Sequence, residues 1–415
     1  MKIIGALFGT LALASVASAP AIARTLDVAP GSDAHERLQS AIIDAKRGDV
    51  IHIAAGRYDL ADGLTLDTAG VTVKGDGPGK TILAFDKQTG GAEGLLITSN
   101  AVTVRDLTVQ NAKGNGVKAK GVDQISFIDL IVEWTGGPKQ TNGAYGVYPV
   151  SSTHVLIDRV TVKGASDAGI YVGQSRDVVI QNSRAEYNVA GIEIENCFNS
   201  DVHDNVSTHN AGGILVFDLP GLPQMGGHST RVFHNEVVDN DTPNFAPKGN
   251  IVANVPTGTG VMVMANRDVH VFDNRIDGNA SVGVLLVAYV DAFDDPKYDP
   301  LPRDVAIHGN HFGRNGFAPT FAGGTVLTKL LGGPIPPVMW DGVTAYRIPG
   351  GGPSTDTVRL AIADGPIVNL DLKMQGTPVD QAVPTVVPSL DGGAMTAPAP
   401  VILPAAQLAL VAAAP

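Results

Sequence analysis

Gly169-Ile170-Tyr171-Val172, Gly191-Ile192-Glu193-Ile194 and Gly213-Ile214-Leu215-Val216 decide the fold. Each is a glycine followed by residues alternating between one face and the other, the pattern of a strand with an inner and an outer side. The three glycines stand 22 residues apart. The same unit recurs at Gly63, Gly94, Gly116, Gly146, Gly260 and Gly283, so the full series has spacings of 31, 22, 30, 23, 22, 22, 47 and 23. A base period of 22 to 23 residues, lengthened in places, is a repeat with insertions.

A second row lies downstream in each unit and ends in asparagine: Asn182, Asn205, Asn235, Asn274 and Asn310. A further asparagine follows five or six residues later, at Asn188, Asn210, Asn240, Asn279 and Asn315. Asparagine tolerates the left-handed backbone of a sharp corner, and its amide can bond the same amide one coil away. Strands this close together leave no room for strand-helix units, which need about 30 residues each. The sequence therefore predicts an all-β, right-handed parallel β-helix: a single-stranded solenoid of about ten coils stacked at roughly 4.8 Å, some 50 Å long. Leu38, Ala41, Ile42 and Ala45 share one helical face within 34–46, with Asp33 placed as N-cap, and predict a helix that plugs the open first coil.

The chain has 415 residues, 44% hydrophobic and only 5% aromatic, as a narrow core of Val, Ile and Leu requires. Its formal net charge of −12 argues against nucleic acid as a partner, which needs a basic field. Cys197 is the single cysteine, so no intramolecular disulfide can form and Cys-rich metal sites are excluded. Met1-Lys2-Ile3-Ile4, the apolar run through Val16 and Ala21-Ile22-Ala23 read as a secretory signal over 1–23, cleaved after Ala23. The expected location is thus periplasmic or secreted, with no membrane span after cleavage. The β-helix is assigned to 24–316. Residues 317–415 lose the coil period and are expected to form an irregular extension, with strands near 358–362 and 367–370. The Ala- and Pro-rich end from Pro384 is expected to be loosely ordered or to lie as an apron along the body.

The stretches Asn142-Gly143-Ala144-Tyr145-Gly146-Val147-Tyr148-Pro149-Val150, Gly191-Ile192-Glu193-Ile194-Glu195-Asn196 and 213–223 carry a resemblance. Over roughly residues 33–316 the chain resembles the secreted right-handed parallel β-helix proteins of the pectin-lyase-like superfamily, in particular an uncharacterised bacterial group. The resemblance implies the fold. It spans polysaccharide lyases, glycoside hydrolases, uronate epimerases and non-catalytic accessory proteins of copper-enzyme maturation, and no catalytic signature of the lyases can be placed residue by residue on this sequence.

Insertions show where a site would form, because surplus residues in a solenoid become loops on the working face. Extra residues within 134–142 and 241–258 enter the Gly-led strands from upstream, and those within 218–230 and 288–303 leave them downstream. They are expected to flank a trough over the outward row, which runs Lys118 and Lys120, Tyr148 and Val150, Tyr171 and Gly173, Glu193 and Glu195, Leu215 and Phe217, Met262 and Met264, Leu285 and Val287. The first half suits a saccharide, with Tyr148 and Tyr171 as stacking rings and with Lys118 and Lys120 for hydroxyls or developing charge. Glu193, Glu195 and Asp218 are the candidate proton-transfer acids. Glu193 and Glu195 stand about 6.5 to 7 Å apart along the strand, within the range of glycosidase pairs, as any acids at i and i+2 do. Catalytic pairs usually straddle the substrate, so side by side on one strand these two are more often solvated surface acids or ion-pair partners of Lys118, Lys120 or Arg184. The two tyrosines can equally stack on each other. The apolar second half reads as residues buried under proline-bearing loops.

His203, His209, His228, His234 and His270, with corner acids such as Asp201, Asp204, Asp239 and Asp241, are metal ligands by type, but their pattern assigns neither a metal site nor a cofactor. The expected function is an exported protein that binds a carbohydrate polymer in the trough, with cleavage or epimerisation of that polymer left open. The alternative is a non-catalytic envelope protein that docks a protein partner or assists metal-enzyme maturation, supported by the methionine-bearing half of the row.

Overall fold

In the computed structural model, residues 23–354 and 357–412 are described. The secretory signal assigned to 1–23 lies outside them except for its last residue. The chain winds into a parallel β-solenoid of about 13 turns rather than about ten. One face is a twelve-stranded sheet built from the nine Gly-led strands and three later ones. The other two legs of each coil form a nineteen-stranded sheet. The long strands Val102–Gln110, Asp123–Glu133 and Thr153–Lys163 run through both of those legs, and later coils break into pairs such as Arg176–Gln181 with Arg184–Glu186.

Register is kept from rung to rung. Ile170 lies beside Ile192, Ile192 beside Ile214, Ile214 beside Val261 and Val261 beside Val284. All five are fully buried in the core that runs down the rod. The asparagines form the expected ladders except at Asn182, whose Nδ2 turns out to Asp158 Oδ1 (2.8 Å) while Ser183 takes the ladder position below Asn205. Nδ2 of Asn205 donates to Oδ1 of Asn235 (3.0 Å), Asn235 to Asn274 (3.0 Å) and Asn274 to Asn310 (2.9 Å). The second ladder runs Asn188, Asn210, Asn240, Asn279, Asn315 with spacings of 3.0 to 3.1 Å. Each amide thus satisfies a neighbour's while its own N–H also reaches a backbone carbonyl.

The N-terminal plug is the helix Ala34–Asp44, whose Leu38 and Ile42 enter the core. Asp33 does not cap it by its side chain. Its Oδ1 instead accepts from Arg37 Nη1 at 2.5 Å, an ion pair one turn away that competes for the same oxygen.

The rod does not end at 316. Val338–Trp340 adds to the Gly-led sheet beside Val282–Val287, and Ile367–Asn369 follows it. Leu360–Ile362 extends the other sheet beside Arg303–His308. The region read as irregular therefore contributes rungs, interrupted by the helix Gly324–Leu331. Thr385–Val387 then pairs antiparallel with Ile367–Asn369, and the parallel stack stops there. The tail lies as an apron on the opposite face: Leu403 packs on Ile128, Leu156 and Val179. Gln407 Nε2 donates to the carbonyls of Ile125 and His154. Among the described residues no helix is long and apolar enough to cross a membrane.

Candidate functional site

The glycine that opens each rung explains which side chains reach the outer face. A Cβ on Gly146 would lie 2.2 Å from Val162 Cγ1, on Gly191 2.2 Å from Ser207 Oγ and on Gly213 2.5 Å from Val237 Cγ1, so the glycine itself points into the rod. The next residue, Val147, Ile192 or Ile214, is also in the core. Two consecutive inward positions reset the alternation, and the residue before the glycine joins the outer face. Tyr145, Ala168 and Ala190 accordingly pack in a second, external cluster.

Two further outward rows complete the face. In register across successive rungs they read Lys118, Tyr148, then Tyr171, Glu193, Leu215, Met262, Leu285, and beside them Lys120, Val150, Gly173, Glu195, Phe217, Met264, Val287. Glu193 and Tyr171 are direct register partners, as the sequence expected.

The face is not an open trough. Loops from both sides meet over it, so Glu193 is 1% exposed, Tyr171 4% and Glu195 7%. Val252 and Val255, at and just past the short helical turn Ile251–Asn254, pack onto the external cluster. Tyr298 Oη donates to the backbone carbonyl of Asp218 (2.6 Å), tying the two downstream loops together. At the Lys118 end the face stays partly open, with Tyr145, Tyr148 and Lys118 half-buried.

Beneath this cover the structure gathers Asp167, Glu193 and Glu195 against Tyr145, Tyr148 and Tyr171. The ring centroids are 4.6 Å apart for Tyr145 and Tyr148, 4.4 Å for Tyr145 and Tyr171, and 5.0 Å for Tyr148 and Tyr171. Tyr171 Oη donates to Glu195 Oε1 at 2.6 Å. Asn250 Nδ2 donates to Asp167 Oδ2 at 2.9 Å. Glu193 Oε2 is buried and meets no hydrogen-bond donor among the described residues.

Burial disfavours the charged form of all three acids, and each sits in the field of others. Glu195 is pushed up to about 7 by burial, opposed by the Tyr171 hydroxyl and reinforced by Asp167 and Asp218. Asp167 rises to about 6 by burial, against bonds from Asn250 and Tyr145. Glu193 is held well above the usual carboxylate range by burial and by the charges of Asp167 and Glu195. At neutral pH the cluster holds protons.

The other sequence candidates are placed differently. Asp218 is raised to about 6 by burial, but its Oδ2 and Oδ1 accept from the N–H groups of Gly226 (3.0 Å) and Gly227 (2.7 Å). Its carboxyl shapes the loop over the face. Lys118 Nζ is 3.1 Å from Glu93 Oε1 and 4.8 Å from the centroid of Tyr148, so it is engaged at the open end and not with the acids. Lys120 is exposed beside Val150. Neither lysine forms an ion pair with Glu193 or Glu195 among the described residues, and Arg184 pairs with Glu186 instead (2.6 Å). Asp167 and Tyr145 were missed. Strict alternation from the glycine places Tyr145 inside, and Asp167 lies two residues before Gly169, outside the glycine-led repeat.

From Phe217 to Met339 the face is apolar, and a further buried acid, Asp341, follows on the rung after Val287. Phe217, Met262, Met264, Leu285, Val287 and Met339 floor a cavity of about 370 Å³ under the loops. Among the described residues, no group of three or more His, Cys, Asp or Glu is arranged to share a metal ion.

Comparison with known proteins agrees with the architecture. A family model described as a right-handed β-helix region matches residues 93–244. This is a right-handed parallel β-helix protein. Among solved structures, the chain is similar to the Family 28 exopolygalacturonase of Yersinia enterocolitica (11% identity, 85% of this chain and 76% of that one, TM-score 0.50). It is also similar to the GH136 lacto-N-biosidase of Eubacterium ramulus (14% identity, 70% and 64% covered, TM-score 0.51). A third similarity is to the mannuronan C-5 epimerase AlgE6 A-module of Azotobacter vinelandii (17% identity, 81% and 83%, TM-score 0.48). At these identities the likeness is one of fold. No curated protein matches the sequence.

Proposed function

We propose that this β-helix protein is exported and binds a carbohydrate chain at the Tyr145–Tyr148 end of the covered face, where the buried acids exchange protons with it. One observation carries the reading. At the register positions that hold Leu215, Met262 and Leu285 on later rungs, and Phe217, Met264 and Val287 beside them, this rung holds Glu193 and Glu195. Burying carboxyls where apolar side chains fit costs stability, and such groups collect where proton transfer is required. The carbohydrate-active names of the similar structures are consistent with this reading.

In the proposed mechanism a sugar ring stacks on Tyr148, whose ring is partly exposed, and Lys118 meets its hydroxyls. Glu195, poised near neutrality with Tyr171 Oη on one oxygen, serves as the proton donor or acceptor. Burial, reinforced by the charges of Asp167 and Asp218, holds it in that range. Reaching the acids requires the tyrosine rings to part, so binding at the half-open end precedes any chemistry. The methionine-bearing row that gave the accessory-protein alternative its support lies buried under the loops.

The test is a panel of neutral and acidic polysaccharides assayed for binding and for product release, with Tyr148→Ala and Glu195→Gln alongside. Weakened binding in Tyr148→Ala, and loss of turnover with retained binding in Glu195→Gln, are expected. Indifference of both variants across every bound glycan would refute the proposal.

A further inference from the structure

Past Phe217 the outward face floors a cavity that the acids do not reach. Leu215 and Phe217, both fully buried, are the register partners of Glu193 and Glu195 and stand between them and the methionines of the next rung. Met262, Met264, Leu285 and Met339 form the floor, and the turn 251–256 and the segment 370–379 form the facing walls. The volume is about 370 Å³, within the range of small-molecule sites. Well-packed interiors do not leave voids of this size, and an apolar cavity of roughly 150 Å³ already stays dry and takes up benzene.

Two features mark the space as built to receive something. Its rim is clamped. Gln375 Nε2 donates to the carbonyls of Tyr289 (3.0 Å) and Asp291 (3.1 Å), and the Gln375 N–H donates to the carbonyl of Ala345 (2.8 Å). These bonds tie the loop 288–291 to the segment 370–379, which carry the two rim residues Val290, 60% exposed, and Val379, 47% exposed. The floor is also adaptable, since it holds three of the seven methionines in the chain, and the unbranched thioether reshapes around what it meets.

The walls select the occupant. No lysine, arginine or histidine lines the cavity among the described residues, so an anion would lose its hydration without a counter-charge. The acid on the wall, Asp341, already accepts a backbone N–H on each oxygen, from Ala288 on Oδ2 (2.6 Å) and from Val343 on Oδ1 (2.9 Å), and is committed to holding those two strands. We infer that this cavity binds an uncharged, hydrocarbon-rich small molecule, admitted past Val290 and Val379, at a site separate from the acid cluster. The inference goes beyond the carbohydrate reading and does not depend on it.

Calorimetric titration of the full chain with 1-hexanol and 1-octanol, and with octanoate and octylammonium as charged counterparts, tests the assignment. Burial of each methylene is worth about 0.8 kcal/mol, about fourfold in affinity, so octanol should bind about 15-fold tighter than hexanol. Each charged octyl compound should bind at least tenfold more weakly than octanol. Val287→Trp fills the space from a half-buried position, and Val379→Glu places a charge on the exposed rim, so neither substitution removes core packing. Both should weaken octanol binding at least tenfold with the far-ultraviolet dichroism unchanged, whereas Tyr148→Ala should leave it as it is. Octanol affinity that does not exceed that of hexanol, that is unchanged in both cavity variants, or that either charged compound equals, overturns the assignment. Loss of octanol binding in Tyr148→Ala would put the alcohol among the tyrosines and overturns it as well.

Discussion

Replacing Glu195 by glutamine should make this protein more stable at neutral and alkaline pH, and the size of the gain follows from the site. The carboxyl, ordinarily near 4.5, is raised to about 7 by burial beneath the loops. The folded protein therefore prefers the protonated acid, and the unfolded chain releases the proton near 4.5. Below about pH 4 both states hold the proton and the group's stabilising contribution is fully present. As the pH rises, ionisation favours the unfolded chain, and the contribution is lost by the time the folded value near 7 is passed. At about 1.4 kcal/mol per pH unit across that interval, the native protein loses about 3 kcal/mol from this residue. Glutamine imitates the protonated acid and keeps an oxygen for Tyr171 Oη, so the variant escapes the loss. Urea unfolding near pH 4 should show the two proteins equal, and near pH 8 it should show the variant ahead by about 3 kcal/mol. Because solenoids can open locally, hydrogen exchange at the amides of 190–195 should show the same crossover. A variant no more stable than the native protein at pH 8 would mean that Glu195 is solvated and ionised there, and the proton-holding cluster would be refuted.

Asn240→Ala breaks the ladder at its centre, removing the Oδ1 that accepts from both the buried backbone N–H (3.2 Å) and the Nδ2 (3.1 Å) of Asn210, and should cost about 2 to 3 kcal/mol in urea unfolding, whereas an exposed control such as Asp294→Ala should cost nearly nothing. Gly191→Ala forces a methyl group to within 2.2 Å of Ser207 Oγ and should lower stability by about 1 to 3 kcal/mol, a loss that Ser207→Gly in the same chain should partly restore. Removal of residues 397–415 uncovers Ile128, Leu156 and Val179 and deletes the Gln407 bonds, so binding of an apolar fluorescent dye should rise while far-ultraviolet dichroism of the rod is kept. An unchanged dye signal would show that the tail does not cover that face in solution.

Much of the rod was legible because its period is enforced by backbone geometry. Only glycine fits where Gly191 turns into the core, and only a small amide satisfies the corners that Asn205 and Asn235 share. Positions fixed in this way repeat, and repetition is what a sequence displays. The strands expected near 358–362 and 367–370 form, as Leu360–Ile362 and Ile367–Asn369, but their place as rungs, and the strand Val338–Trp340 altogether, escaped because they enter without the glycine and asparagine markers. They are held by pairing to the rung before them, which leaves little local trace. The site shows the same division. The pairing of Tyr171 with Glu193 followed from the period. Asp167 and Tyr145 escaped because the inward glycine resets the alternation. The burial of the acids escaped because it depends on where inserted loops fold back, as Asn250 does onto Asp167, 83 residues away.

The most direct test of the central claim is a crystal structure of Glu195→Gln with an oligosaccharide from whichever polymer the native protein binds. The account predicts a sugar ring on Tyr148, the rings of Tyr145 and Tyr171 parted, and the substituted amide side chain within hydrogen-bond distance of a sugar oxygen. A saccharide bound elsewhere on the rod, with the tyrosines still closed over the acids, would contradict it.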